Sequence, residues 1–479
     1  MIKRDRLWLF PFLAVLFILS FLLRIRKIHM DVLGDEALYY YLSKTLGIAP
    51  KSMRDLLPLW THVSVRPFMY VFYFPWAQLG FTAYRVVSIL VGCTVPCLLL
   101  VLSVRMRANP YLAACFALVA SLHPQFILFS VVGFPDMLAT ALLFCGLLAY
   151  HANSVRWATL FFCVTVLAKE SFAMFLVTLL VDGVVALRRN GQKLVLAPLA
   201  GLLAVAITNG FEVYVLHGPP QGWSNNGINS DFYAGFLCSF WFIPFGLLLL
   251  LYKEYRVLAI GLGAPAFFYV WGNVLKKGVD SWYIIGPLAV ALLVATVVVQ
   301  RAVETLRSCH STPGSDLRVH LPWLGPSKSL LSAAVFLVLL WAPANTGWRQ
   351  VDLEKSLAAL GEPWSRPGTI ALAADALGKM RPSHLLVMDA FWGFSYYPFG
   401  LLASKHVSSM CTEENDNCRP NESRLREALL RHTEIIWANK NLKWARTLRP
   451  LLKDCQVFRN SEFTIYKLNG ACRKHLEDH

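Results

Sequence analysis

The feature that most constrains this chain is a succession of apolar stretches separated by short charged loops. A helix needs roughly 20 apolar residues to cross a bilayer, and fewer where the bilayer is thinned. Thirteen stretches qualify as candidate spans: 7–23, 67–81, 84–104, 110–122, 124–135, 136–150, 156–168, 171–187, 193–213, 232–252, 256–275, 280–299 and 329–345. The pair 110–122 and 124–135 is short for two spans and reads equally as one bent helix plus a surface segment. Only 15% of the residues are charged and 56% are hydrophobic, against about 25% charged in an ordinary soluble domain. That balance excludes a soluble enzyme, a disordered chain and a fibre.

The charges are unevenly spread. Residues 1–345 carry 26 Lys/Arg and 14 Asp/Glu, and residues 346–479 carry 19 and 15, which together make the 45 and 29 of the whole chain. The shift to near-normal globular composition marks two domains. The expected fold is a polytopic α-helical membrane protein of about thirteen spans over residues 1–345, followed by a small C-terminal α/β domain over 346–479. The first span has Lys3, Arg4 and Arg6 before it and Arg24, Arg26 and Lys27 after it. No small-residue cleavage site follows, so it does not read as a cleaved signal.

Basic residues favour the cytoplasmic side. With the N-terminus inside, the loops after Asp136 place Arg156, Arg188, Arg189 and Lys193 inward, and only Lys169, Lys276 and Lys277 outward. The front of the chain disagrees, because seven basic residues from Arg24 to Arg66 then lie outside. In the same arrangement Asp31, Asp35, Glu36, Asp136, Glu170 and Asp280 fall at the outer surface. Clustered carboxylates and bases on one face read as a site, and the bland reading is that loops carry the charges that spans exclude.

The tail alternates helix and strand signals. Ser365–Met380 reads as a helix, and His384–Asp389 as a buried strand. Glu422–Arg431 and Leu442–Leu452 are helical by period, and Glu434–Ala438 reads as another strand. Gln456–Phe458 and Phe463–Tyr466 straddle Arg459-Asn460-Ser461, a hairpin signal. Strands alternating with helices point to an α/β domain. Cys411, Cys418, Cys455 and Cys472 are an even set, expected to form two disulfides in an oxidising compartment, with three connectivities open. Zinc is the rival, but C-x₆-C is not a zinc-finger spacing. Asn421-Glu422-Ser423 is a glycosylation sequon, usable only outside the cytoplasm.

Five segments carry candidate chemistry. The first outer loop reads Asp31-Val-Leu-Gly-Asp35-Glu36-Ala-Leu-Tyr39 and leads into a short helix over 36–46. Carboxylates are favoured at a helix N-terminus, so an acidic cap is the bland reading. Arg66 precedes Pro67 at the mouth of a span. A guanidinium there suits a bidentate grip on phosphate, and a snorkelling interface arginine is the alternative. Asp136 opens a span, as does the Lys169-Glu170 step. Tyr283, with Trp282 and Pro287, opens a late one, where an aromatic belt residue is the ordinary reading.

In this order the features resemble the GT-C superfamily of membrane glycosyltransferases, which use lipid-phosphate-linked sugars. The nearest groups are the dolichyl-phosphate-mannose–protein mannosyltransferases and the bacterial lipid A aminoarabinose transferases. The resemblance rests on Gly34-Asp35-Glu36 with Tyr39, on Arg66-Pro67, on Asp136 before a span, on Lys169-Glu170 after a helix end, and on Tyr283 with Pro287. It covers most of residues 1–300. A soluble outer tail is also typical of the superfamily. There are departures. Where aminoarabinose transferases have a metal-holding acid before the basic-Pro step, this chain has Val65. Where they have an arginine three residues after the first-loop aspartate, it has Leu38. Phe391-Trp392-Gly393-Phe394 is not the Trp-Trp-Asp-Tyr-Gly motif of oligosaccharyltransferases.

The resemblance implies an inverting hexosyl- or pentosyltransferase. It moves a sugar, mannose among the candidates, from a polyprenyl- or dolichyl-phosphate donor to a hydroxyl on a glycan, lipid or protein acceptor. Its site and tail lie extracytoplasmically, in the plasma membrane or, in a eukaryote, the endoplasmic reticulum. Asp35 is the implied base, with Glu36 as the alternative and Asp136 orienting the acceptor or a basic neighbour. Arg66, Lys169, Tyr39 and Tyr283 are the implied phosphate-binding set. The resemblance assigns no definite cofactor, a divalent metal stays open, and nucleic acid is not an expected partner. The competing classes are a transporter or flippase for a lipid-linked or anionic substrate, and a non-catalytic scaffold. Transporters place ionisable residues near the midplane and show internal repeats, and no repeat is evident here.

Overall fold

A computed structural model describes residues 9–30, 36–46, 66–190, 193–215, 285–311, 369–389, 399, 402–404, 406–411, 433–439, 449–450, 452–461 and 463–477. The expected spans 232–252, 256–275 and 329–345 lie outside these residues, as do the expected helix 422–431, most of 442–452 and the sequon. The chain divides into two compact units. One comprises Met1–Ile25, Thr61–Met69 and Val86–Gly361, and the other Arg26–Trp60, Tyr70–Arg85 and Glu362–His479.

The helices are α1 (Leu9–Ile25), α2 (Glu36–Thr45), α3 (Pro67–Gln78), α4 (Phe81–Arg105), α5 (Pro110–Leu122), α6 (Pro124–Val131), α7 (Pro135–His151) and α8 (Val155–Ala168). A 3₁₀ turn, Glu170–Phe172, leads into α9 (Ala173–Asn190), followed by α10 (Lys193–Val215) and α11 (Ile285–Ser311). Proline punctuates this series. Pro67, Pro110, Pro124 and Pro135 each open a helix, where the missing N–H would be unsatisfied anyway and the fixed φ suits the first turn. Asn109 caps α5 by accepting from the Tyr111 and Leu112 amides. The turn between α6 and α7 passes through Gly133 at φ 65°, a left-handed conformation that glycine adopts without a Cβ clash.

Among the described residues one helix, Phe81–Arg105, is long and apolar enough to cross a membrane by itself. Pro110–Leu122 and Gln125–Val131 pass that test only together, bent by 57°. The segment expected as the span 67–81 is shorter. α3 ends at Gln78 after 12 residues, because Gly80 at φ 115° takes the chain out of helical geometry.

In the helical unit α8 packs between α7 and α10, and α11 lies against α5 and α7. α1 presents Leu9, Phe12, Leu13 and Leu16 to a core with Leu100, Ala113 and Ala117. Its other side exposes Val15, Ile18 and Leu22. α9 exposes Val177, Val181 and Val184, and α10 exposes Leu196, Leu199, Leu203 and Ile207. These spacings of three and four are helical stripes. The apolar stripe faces outward, while Arg24, at the inward-facing end of α1, is fully buried and donates to Ser130 Oγ and the Ser20 and Ser121 carbonyls.

The second unit contains a five-stranded sheet of β1 (His384–Asp389), β2 (His406–Cys411), β3 (Ile435–Asn439), β4 (Gln456–Arg459) and β5 (Phe463–Lys467), in the order β2-β1-β3-β5-β4. β1 runs parallel to β2 and β3, and β5 is antiparallel to both β3 and β4. The continuous apolar run Leu385-Leu386-Val387 is buried, as a strand with both sides covered requires. The expected hairpin is present, and Asn460 Oδ1 accepts from the Phe463 amide at 2.7 Å. α12 (Thr369–Met380) packs on β4 and β5, and α13 (Gly470–Glu477) is tied to the turn before β4 by a Cys455–Cys472 disulfide. Cys418 lies outside the described residues. β2 was not expected from sequence, because His-Val-Ser-Ser-Met-Cys has neither an apolar run nor strict alternation, and as an edge strand it needs neither.

Candidate functional site

Four charged side chains from three distant segments meet inside the helical unit. Arg66 stands immediately before Pro67, Asp136 is the second residue of α7, and Lys169-Glu170 joins α8 to the 3₁₀ turn. Lys169 has an extended backbone, φ −152° and ψ 107°. That single non-helical residue breaks the helix and turns both side chains of the step inward. Its amide closes α8 on the Thr165 carbonyl at 2.9 Å, and its carbonyl accepts from the Phe172 amide at 3.1 Å.

Arg66 grips Glu170 with both arms of its fork, Nε to Oε2 at 2.7 Å and Nη2 to Oε1 at 2.9 Å. Lys169 Nζ lies 3.5 Å from Asp136 Oδ2. All four are buried, Lys169 and Asp136 almost completely. Two cations and two carboxylates make the cluster formally neutral, which is how charges persist out of water. The two pairs differ in tightness. The Arg66–Glu170 pair is bidentate and short, whereas Lys169 and Asp136 meet in a single contact of 3.5 Å. The cluster therefore contains one bidentate pair and one longer single contact. Gly286 of α11 packs against the ring of Phe172, where a Cβ would come 2.5 Å from it, so the start of α11 closes on the same turn. Tyr283, two positions before Ile285, lies outside the described residues.

The first-loop acids belong to the second unit. Asp35 lies outside the described residues, directly before α2. Glu36 begins α2 and is fully buried. Arg85 of α4 holds it in a second fork, Nε to Oε1 and Nη2 to Oε2, both at 2.7 Å. Arg85 Nη1 also donates to the Ile28 carbonyl at 2.8 Å and to the Met30 carbonyl. Its guanidinium carbon lies 4.6 Å from the Phe81 ring centroid, within cation–π range. Tyr39, expected at the phosphate, is buried in α2. Its neighbour Tyr40 packs edge-on against Phe81 and Tyr84, and its ring centroid lies 6.0 Å from that of Phe399. Burial pushes the Tyr40 hydroxyl up to about 12, so it stays protonated at neutral pH.

Of the seven residues singled out from sequence, the structure brings Arg66, Asp136 and Lys169 together, places Glu36 and Tyr39 on one short helix, and leaves Asp35 and Tyr283 undescribed. Two partners received no role from sequence, Glu170 and Arg85. Arg85 had a legible signal, since an arginine near the start of an apolar span is costly unless it is paired. Among the described residues no group of three or more His, Cys, Asp or Glu side chains could hold a metal ion.

No family model and no curated protein matches the chain. Among solved structures, the chain is similar to the Archaeoglobus fulgidus oligosaccharyltransferase in complex with zinc and sulfate. The identity is 13% and the TM-score 0.49, and the match covers 89% of this chain and 68% of that one.

Proposed function

We propose that the protein is a membrane glycosyltransferase of the GT-C kind, which moves a sugar from a polyprenyl- or dolichyl-phosphate donor to an acceptor hydroxyl at the extracytoplasmic face. The observation that carries this reading is the buried meeting of Arg66 and Glu170 with Lys169 and Asp136. Three segments far apart in sequence each place a charge there from a helix end. A scaffold has no use for that arrangement. The outward apolar stripes of α1, α9 and α10 suit hydrocarbon rather than water, and so support a membrane setting.

In the proposed reaction the acceptor oxygen attacks the anomeric carbon opposite the phosphate. The carbon–oxygen bond to the phosphate breaks, and the configuration inverts. Asp35 takes the acceptor proton, and general-base catalysis of this kind is worth ~10²–10⁴-fold. The leaving lipid phosphate gains negative charge, which Lys169 and Arg66 stabilise. Asp136 Oδ2, 3.5 Å from Lys169 Nζ, helps hold that side chain in place before donor binds.

The test is transfer by the purified full-length protein in vesicles, supplied with radiolabelled polyprenyl-phosphate sugars and a panel of glycan, lipid and peptide acceptors. Label appearing on an acceptor, with lipid phosphate released in equal amount, supports the reading. Absence of transfer from every donor, in a preparation whose helical content and unfolding are intact, overturns it.

A further inference from the structure

The buried cluster is balanced before any ligand arrives. Arg66 and Lys169 carry two positive charges, and Glu170 and Asp136 carry two negative ones. A phosphate that simply joined them would leave a net negative charge in a buried site, where an uncompensated charge is costly. Entry of an anion therefore requires one carboxylate to give way.

The two carboxylates are not equivalent. Asp136 and Lys169 keep 1% and 0% of their side-chain surface, whereas Glu170 and Arg66 each keep 9%. Of the two pairs, Arg66–Glu170 is the one with surface left to meet an incoming group. Asp136 lies in the first turn of α7, between the buried Pro135 and Met137. Glu170 instead opens a three-residue 3₁₀ turn directly after the extended Lys169. Phe172, at the end of that turn, is wedged against Gly286. The backbone of the turn is fixed there, and the long glutamate side chain is the part that can swing.

Glu170 gives Arg66 what a phosphate would give it. Nε and Nη2 each take one carboxylate oxygen, at 2.7 and 2.9 Å. A guanidinium fork binds carboxylate and phosphate in the same two-bond manner. Exchanging one for the other keeps the fork filled and the cluster neutral. A lipid with an uncharged head group brings nothing to replace the carboxylate charge, so the pair stays closed to it.

We propose that Glu170 is a specificity-determining residue, an internal counter-anion that occupies the Arg66 fork until a lipid phosphate displaces it. The inference rests on the proposed glycosyltransferase reading, in which Arg66 meets the donor phosphate. No covalent bond changes in this step. The carboxylate leaves the fork, and the phosphate takes over its two hydrogen bonds.

The experiment uses the full-length protein in vesicles, with geranylgeranyl phosphate as the probe and geranylgeraniol as its uncharged counterpart. In Glu170→Gln the Kd for the phosphate should fall at least ~10-fold, because a unit negative charge beside the incoming one is gone. The Kd for the alcohol should stay as in wild type. The gain should vanish in an Arg66→Met background, because residues that act through one contact are non-additive. In transfer, Glu170→Gln should lower KM for donor without raising kcat, since the relief is the same before and during the reaction. Phosphate binding no tighter than wild type in a folded Glu170→Gln protein would overturn the proposal. So would a gain that persists without Arg66, or an equal gain for the alcohol. If Glu170→Gln does not fold, wild-type hydrogen exchange decides. The phosphate, and not the alcohol, should speed exchange at the amides of 170–173 as the turn loses its hold on Arg66, and unchanged exchange would overturn the proposal. Transfer by the wild type with no tightening in Glu170→Gln would remove this inference and leave the glycosyltransferase reading. Tightening through Arg66 with no transfer from any donor would do the reverse.

Discussion

Arg66 and Glu170 lie 104 positions apart in sequence, yet they share two hydrogen bonds of 2.7 and 2.9 Å. Neither charge can turn to water without breaking the pair. Removing one partner of a buried pair strands the other, at a cost of about 3–5 kcal/mol. Glu170→Gln and Arg66→Met are each expected to lower thermal stability in detergent, and the double variant is expected to recover much of the loss. Losses in the double variant equal to the sum of the singles would show that the two do not depend on each other.

Asp35→Asn is expected to abolish transfer, by on the order of 10²–10⁴ in rate, while donor lipid stays bound. The amide keeps the size and loses the base. Arg66→Ala and Lys169→Ala should weaken donor binding as well, because phosphate is charged before the reaction begins. A photoreactive donor analogue reads the binding and labelled acceptor reads the rate. An Asp35→Asn protein with near wild-type transfer would remove Asp35 from the mechanism.

Cys455 and Cys472 close a loop with a sequence separation of 17. A cross-link of that length contributes about 3 kcal/mol, mainly by restricting the unfolded chain. Alkylation without reductant, followed by mass spectrometry, should leave both sulfurs unmodified. Reductant should lower the unfolding temperature of the sheet-containing unit. Full alkylation of both without reductant would contradict the bridge.

Glu434 accepts from the Ser383 amide and hydroxyl, each at 2.8 Å. These bonds hold its carboxyl below its ordinary value of 4.5, with burial opposing them more weakly. A group depressed in the folded state stabilises it fully above the ordinary value, and the stabilisation is lost as pH falls through the depressed one. Stability of the sheet should therefore decline as pH drops below about 4.5. The decline should be shallower in Glu434→Gln, which already lacks the charged acceptor. Identical acid profiles for the two proteins would rule Glu434 out as a contributor.

The proposed topology places the tail outside. Protease added to right-side-out vesicles should remove residues 350–479 and leave the helical unit. Full protection of the tail would move every site residue to the opposite face.

The sequence by itself determined what local pattern can determine. Apolar period and proline placement marked α1, α4, α5, α7, α8 and α10 close to their observed ends, because helix boundaries depend on residues within a turn or two. The strands at His384–Asp389 and Ile435–Asn439 and the 456–467 hairpin were legible for the same reason. Arg66, Asp136 and Lys169 stood out because charge at the end of an apolar run is costly and so is rarely idle. Partner choice was left to the tertiary structure. Nothing near Arg66 indicates that its fork closes on Glu170, or that Glu36 is held by an arginine 49 positions away. Those pairings arise when helices distant in the chain pack together and exclude water, and a buried charge must then take whichever opposite charge the packing brings within reach.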